Sequence, residues 1–102
     1  MDYEERRSAK RYHFKFPLKV SWAGQEWLTE TGEVSSRAVY FFLRETPPLG
    51  AALRFALTLF PELTESKPVH LKCSGRVLRV DLLGGGRMGI AASIDHYEFE
   101  RA

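Results

Sequence analysis

The chain of 102 residues carries 15 Lys and Arg against 13 Asp and Glu, a formal net charge of +2, and 44% of its residues are hydrophobic. This length and composition favour one globular domain with its own core and exclude a disordered chain. The basic excess is too small for a general binder of nucleic acid or membranes, so any anion site must be local.

The single cysteine and the character of the first residues bear on where the protein acts. Cys73 has no second cysteine with which to form a disulfide inside the chain, and its alternating surroundings indicate a packed or half-exposed thiol rather than a nucleophile. No apolar stretch approaches the ~20 residues of a membrane span. The polar start lacks the apolar region of a secretion signal. We therefore expect a cytoplasmic protein that does not insert into a membrane.

The first half of the chain predicts an arm followed by three strands. Residues 1–13 are polar and lack apolar periodicity, which predicts an N-terminal arm ahead of a domain over residues 14–102. Alternation from Phe14 to Trp22 predicts a half-buried strand with Pro17 on its outward face. A glycine-containing hairpin loop, "AGQE", then leads into a second strand, and a third covers about residues 38–43.

The second half predicts three more strands and a final helix. The stretch "RETPPLG" forces a turn, and alternation resumes from Leu53 to Leu59. Fifth and sixth strands are predicted over 69–80 and 88–94, joined by "DLLGGGR". Asp95 is a suitable N-cap for a short C-terminal helix through Arg101. Six strands with helix only at the ends predict an all-β antiparallel barrel or sandwich.

Neither a metal site nor an active site is predicted. His13, His70 and His96 are scattered, without the spacing of metal ligands. Ser35 and Ser36 lack the setting of a nucleophile elbow. We therefore expect no enzyme and no metal.

Two further segments allow a functional or a structural interpretation. "GGGRMG", residues 84–89, lacks the Lys-Ser/Thr ending and the following helix of a phosphate loop, which favours a hairpin loop. The aromatic residues near basic ones could form a stacking platform for single-stranded nucleic acid, although strand alternation favours the core for most of them. Tyr40 and Phe42 should share one face of their strand and Phe41 the other.

An arginine pair on the arm is the strongest candidate for ligand binding. Arg7 and Arg11 are four residues apart, so they lie on one side of an extended arm and are also neighbours in a helical turn. Guanidinium groups donate paired hydrogen bonds to phosphate and stack on bases. Composition alone favours a solvated arm.

Several segments together resemble the PilZ domain family, from Arg6 to Arg101: "RRSAKRYHFKFPLKVSW", "GEVSSRAVYFFL", "PPLGAALRFALTLF", "CSGRVLRV" and "RMGIAASIDHYEFER". The resemblance implies a six-stranded antiparallel β-barrel followed by a helix. Many members are bacterial receptors for the second messenger cyclic di-GMP. The family's RxxxR motif implies that Arg7 and Arg11 bind phosphates and stack on a guanine, with Arg6 as an additional cation for a stacked ligand dimer.

The family's second motif, Asp or Asn, any residue, Ser, two residues, Gly, is altered here. It falls on residues 33–38 and retains only Ser35. Glu33 keeps the carboxylate but adds a methylene, and Arg37 adds a phosphate partner. Ala38 replaces the glycine, whose freedom of φ and lack of a β-carbon allow a ligand to approach closely.

The resemblance implies a cyclic di-GMP receptor that uses no other cofactor. Glu33 and Ser35 would contact a guanine edge, and ordering of the N-terminal arm would signal to a downstream protein still to be identified. The chain would act as a monomer or homodimer, and it would not bind a nucleic acid polymer. Two alternatives stay open: a degenerate PilZ-like adaptor that acts only through protein contacts, and a small single-stranded nucleic-acid barrel, which the low net charge disfavours.

Overall fold

The computed structural model describes residues 15–45, 47–59 and 67–100, and its architecture is all-β. The described residues form seven strands and no helix: β1 Pro17–Trp22, β2 Gln25–Val34, β3 Ala38–Leu43, β4 Ala52–Leu59, β5 Val69–Gly84, β6 Arg87–Ser93 and β7 His96–Phe99. All pairings are antiparallel in the order β4-β1-β2-β3-β6-β5-β7, and β4 also pairs with β5. Strands β1 to β6 therefore close into the predicted six-stranded barrel.

Two long strands, β2 and β5, each take part in both curved halves of the barrel. β2 pairs with β1 up to Glu30 and with β3 from Thr31 onward. β5 pairs with β4 up to Arg76 and with β6 from Val77 onward. We call β1, β4 and the adjoining halves of β2 and β5 the first sheet, and β3, β6 and the other halves the second sheet.

The core is formed by one face of each barrel strand, as the alternation predicts. On β1 Leu18 and Val20 are buried, as is Phe16 just before it, whereas Pro17 is exposed. On β3 the side chain of Phe41 is buried, while Tyr40 and Phe42 are half-buried on the opposite face. The aromatic residues of β3 are thus divided between core and surface as predicted.

The predicted C-terminal helix is wrong over residues 96–100, where the chain forms β7. β7 pairs with residues 71–74 of β5, and the Asp95 N–H donates to the Ser74 carbonyl oxygen at 2.9 Å. The Asp95 carboxylate accepts from Arg76 Nε at 3.2 Å instead of capping a helix. The reason is non-local: β4 pairs with only one edge of the first half of β5, and β7 pairs with the opposite edge and satisfies its main-chain groups. Arg101 and the arm of residues 1–13 lie outside the described residues.

The glycine-rich segment forms a hairpin turn between β5 and β6, as favoured by the sequence. Gly84, Gly85 and Gly86 have φ values of 90°, 64° and 78°. These positive values are strained for residues with a β-carbon, which explains the glycine run without any phosphate site.

Candidate ligand site

The predicted ligand-binding residues fall into two groups. Arg6, Arg7 and Arg11 lie outside the described residues, so their contacts remain predictions. Glu33 lies near the end of β2, and Ser35 to Ala38 form the turn into β3. The altered second motif is therefore a defined β2–β3 turn at one edge of the second sheet.

The Ser35 side chain holds this turn together. Its Oγ accepts hydrogen bonds from the N–H groups of Arg37 and Ala38, both at 3.2 Å. The Ser35 N–H donates to the Ala38 carbonyl oxygen at 2.9 Å. A serine hydroxyl that accepts from main-chain groups two and three residues later fixes the shape of a tight turn.

Ala38 occupies the glycine position of the family motif without backbone strain. Ala23 is the only non-glycine residue with positive φ in the described part of the chain, so Ala38 does not need the freedom of glycine. Ala38 pairs with Ser93 and shares the outward face of β3 with Tyr40. Its β-carbon therefore acts only by filling space on the outer surface of the second sheet.

Glu33 and Arg37 flank that surface. Glu33 lies opposite Tyr40 in the β2–β3 ladder and is half-buried. Arg37 is exposed, and its main-chain carbonyl accepts from the Ile94 N–H at 2.7 Å. Glu33 thus lies just before the turn that Ser35 fixes, and Arg37 lies within that turn.

Beside the turn, the outward face of the second sheet carries a cluster that we call the outer platform: Tyr40, Phe42, Arg79, Asp81 and Arg87. Tyr40 Oη donates to Asp81 Oδ2 at 3.0 Å, and Arg79 Nε donates to Asp81 Oδ1 at 3.1 Å. The guanidinium carbon of Arg79 lies 5.7 Å from the centre of the Tyr40 ring. Asp81 therefore holds both the ring and the guanidinium in place.

Phe42 extends the platform along β3. Its ring meets Tyr40 edge to face, with 5.4 Å between centroids and 85° between planes. The Arg87 guanidinium carbon lies 4.7 Å from the centre of the Phe42 ring. The result is two aromatic rings, each with an arginine above it, which is a favourable cation–π arrangement.

Two glycines leave room for the rings. A β-carbon on Gly89 would overlap the hydroxyl end of Tyr40, and one on Gly32 would lie 3.0 Å from the Phe42 ring. Gly89 faces Phe42 across the β3–β6 ladder. The absence of side chains at these positions therefore lets the Tyr40 ring pack against Gly89 and the Phe42 ring against Gly32.

The electrostatics of the platform keep Tyr40 as a hydrogen-bond donor. Desolvation raises the pKa of Tyr40, and its hydrogen bond to the Asp81 carboxylate raises the pKa further, while Arg79 opposes the shift. The phenol therefore remains protonated at neutral pH.

The arginines and the aspartate of the platform were not predicted from sequence. The pairing of β5 with β6 shifts register between Val77 and Arg79, so simple alternation along β5 fails there. The one signal available from sequence was that Tyr40 and Phe42 share one face of β3 and Phe41 the other.

An apolar pocket of about 260 Å³ opens on the other side of the turn, toward the barrel interior. Ser35 and Ser36 lie at its rim, and Leu71, Cys73 and Phe99 contribute to its wall. Burial raises the pKa of the Cys73 thiol to about 11, so the thiol is neutral at physiological pH. Of the two interpretations that the sequence allowed, a packed or a half-exposed thiol, the structure shows the packed one. A neutral, buried thiol is a poor nucleophile.

No group of three or more His, Cys, Asp or Glu in residues 15–45, 47–59 and 67–100 is arranged to hold a metal ion. Within the same residues, no helix is long and apolar enough to span a membrane.

Comparison with known families decides the classification. The sequence pattern of the PilZ domain matches residues 5–100, nearly the whole chain. The chain belongs to the PilZ domain family. PilZ domains are ligand-binding and adaptor domains. A search of curated proteins finds no match to this PilZ domain.

A solved structure supports the same fold. This PilZ domain is similar to the Bacillus subtilis inhibitor of motility (MotI/DgrA), with a TM-score of 0.75 and 17% sequence identity. The similarity covers 89% of this chain but 43% of that chain. This PilZ domain thus spans less than half the length of that protein, and at this identity the comparison establishes the barrel alone.

Proposed function

We propose that this PilZ domain binds cyclic di-GMP and acts as a second-messenger receptor. The observation that carries the proposal is the position of the outer platform, which lies on the same sheet face as Ala38 and beside Glu33. Stacking surfaces, a carboxylate and a cation thus surround one rigid turn. A ligand with two purine bases and two phosphates requires this combination of groups.

The phosphates are assigned to the arginines. Arg7 and Arg11 bind them through paired hydrogen bonds, because the planar guanidinium matches two phosphate oxygens. Arg37 is exposed at the turn and adds a third cation. Arg6 is assigned to a second, stacked ligand molecule.

The bases are assigned to the turn and the platform. Glu33 accepts hydrogen bonds from the N–H groups of a guanine edge, and the Arg79 and Tyr40 pair offers a planar surface for stacking. Ser35 has a second role beside its expected contact with the guanine edge, because its hydroxyl accepts from two main-chain N–H groups of the turn. We assign it as a positioning residue that keeps Glu33 and Arg37 in place.

The signal is carried by the arm rather than by a reaction. Binding orders the N-terminal arm against the barrel, and a downstream protein recognises the ordered form. The domain is not an enzyme, works in the cytoplasm as a monomer or homodimer, and needs no other cofactor and no nucleic acid polymer.

A second candidate function is supported by the altered motif. Glu33 is longer than the family's Asp or Asn, and the Ala38 β-carbon fills space that glycine leaves open. Under this alternative the domain is an adaptor that has lost cyclic di-GMP binding and acts through protein contacts alone.

The experiment compares Arg7→Ala and Arg11→Ala with Arg54→Ala in calorimetric titrations with cyclic di-GMP. Arg54 is an exposed arginine of β4 in the first sheet, so its variant controls for the loss of one surface charge. We expect both arm variants to lose binding with little change in melting temperature, because an arm ahead of β1 contributes little to the core. Binding by the arm variants as strong as that of Arg54→Ala would contradict the proposal, and a large drop in their melting temperature would make these arginines structural.

A further inference from the structure

The first half of β2 has a free edge in the described part of the structure. Gln25–Glu30 pairs with β1 on one side, and pairing with β3 begins only at Thr31. A strand that is unpaired on one side exposes N–H and C=O groups that can bind another strand.

The hairpin geometry shows which residues present these groups. Ala23 and Gly24, with φ values of 52° and 80°, form a two-residue loop, so Trp22 and Gln25 exchange both main-chain hydrogen bonds. Every second residue of β2 from Gln25 therefore directs its main-chain groups toward β1. Thr31 follows the same alternation, because its N–H donates to the Phe16 carbonyl oxygen at 3.0 Å. Glu26 and Leu28 consequently direct their main-chain groups outward.

This edge lines an open groove of about 810 Å³. The opposite wall includes Leu43, Arg44 and Arg87 at the ends of β3 and β6. At the closed end of the groove the Thr29 hydroxyl donates to the Phe42 carbonyl oxygen at 2.8 Å. β2 and β3 diverge beyond this bridge, which leaves space beside the edge for an added strand.

The outward side chains of the edge alternate acid, leucine, acid. Glu26, Leu28 and Glu30 are all exposed, and Leu28 is 84% exposed. Charged residues on an edge strand often protect it from aggregation. The exposed leucine at the centre of this edge instead favours association, because it can contact an apolar side chain of a partner.

The charges disfavour a second copy of this chain as the occupant. A symmetric antiparallel pair centred on Leu28 would place Glu26 and Glu30 opposite each other, and like charges directly opposite across strands are destabilising. The same positions favour cationic side chains on the incoming strand.

We propose that the β2 edge binds an extended segment of a partner protein in which two basic residues flank an apolar one at alternate positions. The partner strand continues the first sheet, with its apolar side chain on Leu28 and its cations on Glu26 and Glu30. Arg44 and Arg87 lie on the far wall, where they favour acidic groups beyond the paired segment. The edge residues Glu26, Leu28 and Glu30 are not part of the outer platform, although Phe42 and Arg87 of the platform line the far side of the groove.

The test is titration of ¹⁵N-labelled protein with two capped peptides, Lys-Thr-Val-Thr-Lys and Glu-Thr-Val-Thr-Glu, followed by amide NMR. We expect saturable shifts centred on Glu26 and Leu28 with the basic peptide and a weaker effect with the acidic one. The double variant Glu26→Lys and Glu30→Lys should reverse this preference.

A matched pair of variants tests the role of the leucine. Leu28→Ser should weaken binding of the basic peptide roughly tenfold, whereas Leu82→Ser, at a leucine that is 81% exposed on the β5–β6 hairpin, should leave it unchanged. Leu28→Pro removes one outward N–H without touching the pairing to β1 and should also weaken binding. Absence of saturable shifts, equal response to both peptides, or shifts centred on another strand would overturn the proposal and leave the glutamates as edge protection.

Discussion

Gly75 and Gly89 both lack a β-carbon where the chain is crowded, but the neighbouring atoms differ. A β-carbon on Gly75 would overlap the Ser93 main-chain carbonyl oxygen, whereas one on Gly89 would overlap the hydroxyl end of the Tyr40 side chain. A side chain can rotate away, while a main-chain group in a ladder cannot move without breaking its hydrogen bonds. The surroundings of Gly89 can therefore move aside for a β-carbon more easily than those of Gly75.

We predict that Gly75→Ala destabilises the protein more than Gly89→Ala. Gly75→Ala requires a main-chain shift, which typically costs about 1–3 kcal/mol or more. Gly89→Ala mainly costs the hydrogen bond between Tyr40 and Asp81, about 1 kcal/mol. Urea unfolding of both variants measures the difference, and the reverse order would show that the outer platform is the more rigid of the two regions.

Cys73 makes the free energy of unfolding depend on pH in the alkaline range. Burial raises the pKa of its thiol from 9.0 to about 11 in the folded state. From pH 9 upward the unfolded chain loses the thiol proton while the folded protein retains it, so stability is complete below this pH and falls as pH rises. The expected loss is at most about 2–3 kcal/mol, and it is complete only once the pH exceeds the folded pKa.

The measurement is chemical denaturation at pH 8 to 11 for the wild type and Cys73→Ala. The alanine variant starts less stable, because it loses buried contacts, but its stability should fall less steeply over this range. Parallel pH profiles for the two proteins would show that the thiol ionises normally.

At the scale of elements, the β2–β3 turn determines how closely a ligand reaches the second sheet. Ser35 fixes the turn through hydrogen bonds to residues 37 and 38, and Ala38 has no positive φ. The altered motif therefore forms a rigid turn without requiring a glycine at position 38. The difference that a ligand would meet is the Ala38 β-carbon on the outer surface of the second sheet.

We predict that Ala38→Gly tightens cyclic di-GMP binding while lowering stability by about 0.5–1 kcal/mol, the usual cost of glycine in a strand. Ala56→Gly in β4 is the matched control and should show the stability loss alone. Calorimetric titration and thermal unfolding of both variants test this. Unchanged or weaker affinity in Ala38→Gly would eliminate the β-carbon as an obstacle.

The strands differ in how well their positions could be predicted from the sequence. β1, β3 and β4 alternate because each has one face in the core, and these strands were predicted within a few residues. The bounds of β6 were also predicted within a residue, although Gly89 and Ile90 are both buried. β7 was not predicted, since only four residues alternate and the free edge of β5 decides their conformation. An aspartate before a short polar segment resembles a helix start until that edge is known.

At the scale of the whole molecule, closure of the barrel brings distant segments to one surface. Tyr40 of β3 and Asp81 of β5 are 41 residues apart yet share a hydrogen bond. The motif residues of the turn could be located from sequence, because their spacing is local. The platform could not, because its arginines and aspartate depend on the pairing register of β5 with β6.

The central claim is that this barrel is a receptor for cyclic di-GMP. The most direct test is calorimetric titration of the purified protein with cyclic di-GMP, with GTP and cyclic di-AMP as controls. We expect saturable, selective binding of cyclic di-GMP at low micromolar affinity or better, on the order of −8 kcal/mol. No heat at high concentrations of cyclic di-GMP, or equal binding of all three nucleotides, would contradict it.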